Sequence, residues 1–423
     1  MRRKKNSLGL TAVLAIFIAA LLLTGVHAAA QEKVLYSFMY GNAYGPSGSL
    51  VFDAAGNLYG VTGEGGAYPL YGTVFELSRK GGGGWAEKVL HSFNKDGKDG
   101  YSPNGGLIFD AAGNLYGTTV DGGFYGWGTV FELSPGADGR WKETILHNFN
   151  DDGTDGQQPL ASLIWDAAGN LYGTTINGGA NGGADGTVFE LTPATGGGWT
   201  EKILYNFGSS SVDGTNPEAA SVIFDATGNL YGTTAGGGAY GQGIVFELTP
   251  QAGGNWTETV LYNFNTGAEG YSSDAGLIFD AAGNLYGTTF FGGQHDDGTV
   301  FEMAPQPSGS WTYTVLHSFG ATKDGAHPYA SLIFDPAGNL YGTTNWGGAY
   351  DNGTVFKLTS LGGGNWAETF LHSFSWERDG KDGYLPQGSL IFDASGNLYG
   401  TTIWGGGYYP ISGSGTVFEI KQP

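Results

Sequence analysis

The chain is 423 residues long, contains 79 glycines and no cysteine, and has a formal net charge of −21 at pH 7. The missing cysteine excludes disulfides, a lipidated cysteine and a thiol nucleophile, and the acidity argues against nucleic acid or an anionic membrane surface as partner. Dispersed acidity of this kind serves solubility first and cation binding second.

The first element in chain order is a leader. Arg2, Arg3, Lys4 and Lys5 precede an apolar stretch from Leu8 to Leu23, and Ala28-Ala29-Ala30 offers a small-residue cleavage site. The pattern predicts a signal peptide over residues 1–30 and a mature chain beginning near Gln31, with no membrane span after cleavage. It predicts a secreted protein, extracellular or periplasmic. Removing the four basic residues leaves −21 − 4 = −25 on the mature chain.

A strand-like segment follows from Glu32 to Phe38, and then a nine-residue string begins, Phe52-Asp53-Ala54-Ala55-Gly56-Asn57-Leu58-Tyr59-Gly60. It recurs with Phe109, Trp165, Phe224, Phe279, Phe334 and Phe392 in first position, at spacings of 57, 56, 59, 55, 55 and 58 residues. That period is too long for a solenoid rung and matches a propeller blade. The copy from Ala330 to Phe374 shows the four elements expected of each blade. Ser331–Phe334 is an apolar inner strand, and the Asp335-Pro336-Ala337-Gly338-Asn339 turn leads into a second strand, Leu340–Thr344. A third strand, Thr354–Leu358, follows a loop of variable length. The fourth, Trp366–Phe374, mixes charge with apolar residues, as suits an outer edge.

The phase of these elements predicts how the ends meet. The segment 32–38 is a fourth-type strand with none of the first three before it, and Gly415–Ile420 is a third-type strand with no fourth after it. Seven full sets exist only if the first strand completes the last blade. The expected fold is all-β: one seven-bladed β-propeller over residues 31–423, of 28 antiparallel strands, with repeats starting near 49, 106, 162, 221, 276, 331 and 389.

The Asp-x-x-Gly-Asn-Leu-Tyr-Gly-Thr-Thr core, as at Asp110 to Thr119, followed by Gly-Thr-Val-Phe-Glu-Leu, as at Gly128 to Leu133, resembles the GloVer tandem-repeat family of bacterial surface proteins, named for Gloeobacter and Verrucomicrobia. The Gly-Asn-Leu-Tyr turn is also similar to that of NHL-type propellers. The resemblance implies an exported propeller and supplies no catalytic residues. Family members often carry a C-terminal sorting anchor, whereas this sequence stops at Lys421-Gln422-Pro423, which favours a released or periplasmic product.

Residues repeated in every copy are read as structural. Asp53, Asp110, Asp166, Asp225, Asp280, Asp335 and Asp393 are expected to hold turns rather than metal. His91, His147, His317 and His372 share a strand position with Tyr36, Tyr205 and Tyr262, so an amphipathic ring at an outer strand is the expected requirement. Trp85, Trp141, Trp199, Trp256, Trp311 and Trp366 open fourth strands and read as packing residues.

Function is expected on the face that carries the loops between second and third strands and the connections between blades, because the copies diverge there. The residue before each Gly-Gly pair reads Glu64, Asp121, Asn177, Gly236, Phe291, Trp346 and Trp404, polar on one side of the ring and aromatic on the other. Phe291, Trp346, Trp376 and Trp404, with Trp127 and Tyr350, are the candidate ligand-binding residues, since exposed rings stack on sugar C–H faces or take apolar side chains. His295 and His327 are the candidate acid/base residues, and Asp296, Asp297 and Asp324 the candidate metal ligands. The Asp-rich loops 96–100 and 151–156 hint at calcium but miss the EF-hand spacing. Three functions fit: a non-catalytic module binding a glycan or another extracellular polymer, a polysaccharide hydrolase or lyase, and an envelope scaffold that binds an extracellular protein. A monomer is expected.

Overall fold

A computed structural model of the chain describes residues 30–39, 43–218, 221–320, 323–376, 381–407 and 413–422. The expected signal peptide lies outside these residues, Ala30 excepted. Among the described residues every element is a β-strand, and seven antiparallel sheets, each with four main strands, form the blades of a propeller. In blade six the order is Ile333–Phe334, Leu340–Thr344, Thr354–Gly362 and Asn365–Ser373.

Blade seven is shared between the chain ends. Ile391–Phe392, Leu398–Thr402 and Thr416–Lys421 are completed by Gln31–Ser37, which runs antiparallel to Thr416–Lys421 from Gln31 opposite Lys421 to Ser37 opposite Thr416. A bulge between Val34 and Tyr36 interrupts this ladder, and the same bulge recurs in the outer pair of every other blade. In blade two it leaves Leu146 unpaired immediately before His147.

The core lies between blades. Tyr341, Val355 and Phe374 of blade six pack on Leu390, Leu398, Phe418 and Ile420 of blade seven, and Phe38, Tyr399 and Val417 of blade seven pack on Leu50, Leu58 and Phe75 of blade one. The glycine of Leu-Tyr-Gly-Thr-Thr has a packing cause: a Cβ on Gly342 would sit 2.6 Å from Phe356 Cζ. The second strand must therefore lack a side chain where the third-strand phenylalanine crosses it.

The repeated aspartates hold turns. Asp335 accepts hydrogen bonds from Ala337 N and Asn339 N on Oδ1, and from Asn339 Nδ2 and the Tyr341 hydroxyl on Oδ2. Burial alone would raise its pKa, but these bonds hold it below the ordinary value. Asp53, Asp110, Asp166, Asp280 and Asp393 repeat the same set of bonds.

Two details differ from the expected strands. The inner strand is Ile333–Phe334 rather than Ser331–Phe334, because at the crowded axis the preceding residues bond to neighbouring blades: Ser331 N donates to Ser389 Oγ at 3.1 Å, and Ser389 N to Ser49 Oγ at 3.0 Å. The described elements also number 38 rather than 28, so 38 − 28 = 10 short strands are additional. In six blades they pair the entering segment with the end of the second strand or the residues just past it and raise small ribbons on the loop face, and in blade five the single bridge Tyr271–Phe291 stands in their place.

Candidate functional site: loop face and channel mouth

Each ribbon places an entering residue opposite the variable residue before Gly-Gly. Around the ring the pairs are Tyr44/Glu64, Tyr101/Asp121, Gln157/Asn177, Thr215/Gly236, Tyr271/Phe291, Ala326/Trp346 and Tyr384/Trp404. Two of the polar members are engaged within the loops: the Tyr44 hydroxyl donates to Glu64, and Asn177 Nδ2 to Gln158 Oε1. Trp346 faces only an alanine across its ribbon and is 43% exposed, and Trp376 is 47% exposed. Trp404 and Tyr350 are exposed as well. Phe291 is half-buried, stacked on Tyr271 at 5.5 Å and edge-on to His327 at 5.3 Å, while Trp127 is half-buried against the core between blades two and three.

Exposed aromatic surface extends beyond blades five to seven. Tyr68, Tyr125, Tyr240 and Tyr350 occupy one equivalent place, three residues after the first glycine of the Gly-Gly pair, and all are exposed. Asn181 and His295 hold that place in blades three and five, and Tyr408 in blade seven lies outside the described residues. His295 is thus the blade-five member of an outer crown, exposed at a loop tip.

Inside the ribbons lies a ring of strained backbone. Gly45, Ser102, Gln158, Asn216, Ser272, His327 and Leu385, one per blade, all have φ between 56° and 67°. Six of the seven are not glycine, and most precede a proline, so the left-handed conformation there is held by its surroundings. Hydrogen bonds to two blades hold it: His327 N donates to Asp297 O, and His327 O accepts from Asn345 N. The His327 ring stacks on Phe290 at 4.8 Å, its Nδ1 lies 2.9 Å from Phe290 O, and its Nε2 lies 3.8 Å from Asp297 Oδ1.

Two residues further on, a third ring surrounds the axis: Ser47, Asn104, Leu160, Glu218, Asp274, Tyr329 and Gln387. Five of these line an axial cavity of about 100 Å³ whose lining draws on all seven blades. The cavity is floored by Ser49, Gly106, Ser162, Ser221, Ser331 and Ser389, linked from blade to blade by hydrogen bonds such as Gly106 N to Ser162 Oγ at 2.7 Å. One sector of the mouth is acidic. Burial, then the neighbouring Glu218, pushes Asp274 up to about 7. Burial raises Glu218, and burial followed by both carboxylates holds the Tyr329 phenol above the ordinary tyrosine range. Sequence reading missed this ring. Its signal was positional, the residue that follows a proline before the inner strand in six blades and Ser273 in blade five, and that differs in type in every blade.

The candidate metal ligands do not gather in one place. Asp296 Oδ1 accepts from Gly292 N within its own loop, Asp297 faces His327, and Asp324 pairs with His317 at 3.3 Å. Among the described residues, the groups of three able to hold an ion lie instead at the seams between blades, and they use the strand histidines. The Asp-rich loops use Asp96 and Asp152 in their own turns, as with Asp96 Oδ1 accepting from Lys98 N and Asp99 N.

A closed ring of seven four-stranded sheets, with one face of repeated turns and one of divergent loops, defines a seven-bladed β-propeller. The Gloeobacter/Verrucomicrobia repeat model matches residues 24–227 and 218–423, and the chain belongs to that family. No curated protein matches the sequence. Among solved structures, the fold is similar to the extracellular domain of a protein from B. thetaiotaomicron assigned as a one-component system, with a TM-score of 0.53 and 11% identity over 92% of this chain. The chain spans 40% of that protein. An oxidoreductase (glucose dehydrogenase) assignment from Thermus thermophilus gives a TM-score of 0.44 at 16% identity, covering 81% of this chain and 99% of that one. A luciferin-regenerating enzyme gives 0.43 at 14%, covering 79% and 96%. These likenesses concern the fold alone. Among the described residues, no helix is long and apolar enough to cross a membrane.

Proposed function

We propose that this protein is a secreted, non-catalytic recognition module that binds a glycan or a similar hydroxyl-rich extracellular polymer across its loop face. The observation that carries the reading is the exposed set of Trp346, Trp376, Trp404 and Tyr350 on a face whose axial cavity is lined by amide and hydroxyl groups. Flat rings offer stacking surface to sugar C–H faces, and Gln387, Asn104 and Ser47 at the cavity offer partners for hydroxyl groups. Thermal unfolding in a panel of soluble polysaccharides tests it, since a ligand at a hundredfold excess over its Kd adds about 2.7 kcal/mol to the native state. Trp346→Ala with Trp404→Ala should abolish the shift given by the responding polymer. Retention of the shift excludes this surface.

A second reading, hydrolysis or elimination on a polysaccharide, is favoured by one observation: the two carboxyl groups of Glu218 and Asp274 share an environment that raises both pKa values. Release of reducing ends that is lost in both Glu218→Gln and Asp274→Asn would establish it over the binding module.

A further inference from the structure

The outer strands of adjacent blades meet at seams, and at four of them one histidine and two carboxylates converge from three separate segments. The groups are His91/Asp99/Glu143, His147/Asp155/Glu201, His317/Asp324/Glu368 and His372/Asp382/Glu32, each with one ligand atom per residue within 4.8 Å of the others. The histidine ends one fourth strand, the aspartate stands in the connection to the next blade, and the glutamate comes from that blade's fourth strand. The residue types and their places in the blades are alike in all four, but Asp324 Oδ1 and Asp382 Oδ1 accept from Gly325 N and Gly383 N, whereas Asp99 Oδ1 and Asp155 Oδ1 have no donor. Histidine Nε2 lies 3.1–3.3 Å from an aspartate oxygen, and in the three seams led by His91, His147 and His317 it lies 3.7 Å from a glutamate oxygen.

We propose that these four seams are binding sites for a divalent transition-metal ion of the zinc class, each ion stapling two neighbouring blades. Three features argue for an ion. First, bonds of about 2.1 Å around a tetrahedral centre separate ligand atoms by about 3.4 Å, and the observed separations fall on either side of that value. Second, buried carboxylate oxygens face the site with no hydrogen-bond donor. Asp99 Oδ1, Asp155 Oδ1 and the Oε1 atoms of Glu143, Glu201, Glu368 and Glu32 are in that state, and the Asp99 and Asp155 side chains are 6% and 5% exposed. Such atoms need a cation or a proton. Third, two of the four aspartates are held by a second layer: Asn94 N and Nδ2 both donate to Asp99 Oδ2, and Asn150 does the same for Asp155. One imidazole with two carboxylates suits zinc better than calcium, which takes oxygen ligands. The histidines keep some solvent exposure, which leaves the fourth position for water.

The other seams supply the control. Tyr205 takes the histidine's place beside Asp213 and Glu258, and its hydroxyl reaches a carboxylate of each at 3.0 Å. Tyr36 reaches Glu87, and Tyr262 reaches Glu269 while stacking on Tyr313 at 4.1 Å. The fold therefore accepts tyrosine at this position, where the phenol reaches Asp213 Oδ2 and Glu258 Oε2 while Asp213 Oδ1 and Glu258 Oε1 stay without a donor, as in the histidine seams.

The experiment is zinc stoichiometry on the purified full chain after chelator treatment and dialysis, read by equilibrium dialysis and elemental analysis. Four ions per chain are expected, three in His91→Tyr, and five in Tyr205→His, which would meet an existing Asp213/Glu258 pair. Far-UV circular dichroism matching the wild type confirms that each variant is folded. The proposal is overturned if the wild type binds no zinc at the seams, or if folded His91→Tyr and Tyr205→His bind as many ions as the wild type. Either result means that the seam carboxylates share a proton instead. The outcome is independent of what binds the loop face.

Discussion

The two faces of the ring carry equivalent sets of connections and treat them in opposite ways. On the turn face, aspartates such as Asp53 and Asp335 accept the same four hydrogen bonds, copy after copy. On the loop face, the ring nearest the axis reads Ser47, Asn104, Leu160, Glu218, Asp274, Tyr329 and Gln387. In the first case the side chain is what holds the backbone, so its identity is fixed. In the second, the backbone is held by main-chain bonds from two blades, as at His327, so the side chains are free to serve something else.

Deleting residues 31–38 should break the comparison altogether, because both faces depend on ring closure. The deletion removes a six-pair ladder and Phe38 from the core. The loss should rival the whole stability of an ordinary domain, about 5–15 kcal/mol, and end cooperative unfolding in calorimetry.

Asp274→Asn probes the loop face and should stabilise. The folded-state pKa of Asp274 is raised from 3.8 to about 7, so its neutral form is favoured in the native protein. The resulting contribution is fully present below about pH 4 and lost as pH rises through 7. At pH 8 the asparagine should therefore gain on the order of 4 kcal/mol over wild type, and nothing at about pH 3.5. An equal effect at both values would remove the acidic sector as its cause. Next in size, Gly342→Ala should cost about 2–3 kcal/mol by overpacking Phe356, although it lies far from either face. Equal denaturation midpoints for variant and wild type would contradict that packing account. Smallest of all, Trp346→Ala with Trp404→Ala should change stability by no more than about 0.5 kcal/mol each, as expected of exposed residues.

Much of the architecture was legible because seven copies let strand types be counted and phased, and the unpaired 32–38 segment then had one place to go. The turn aspartates were legible because their partners, Asn339 and Tyr341 for Asp335, lie four and six residues away. The mouth ring was not, since Glu218, Asp274 and Tyr329 are brought together only by the circular arrangement of blades. The seams fell between these cases. His91 alternating with tyrosine in other copies was visible, and amphipathicity accounted for it, but Glu143 stands 52 residues beyond His91 (143 − 91), and only the ring makes them neighbours.

The shared seventh blade also sets an order of events. Gln31 finds its partner in Lys421, 390 positions later (421 − 31). A chain synthesised from its N-terminus holds this strand with an open hydrogen-bonding edge until almost everything else has been made. The other six blades have all their strands before that point, so the seventh is the one blade whose completion must wait for the last strand.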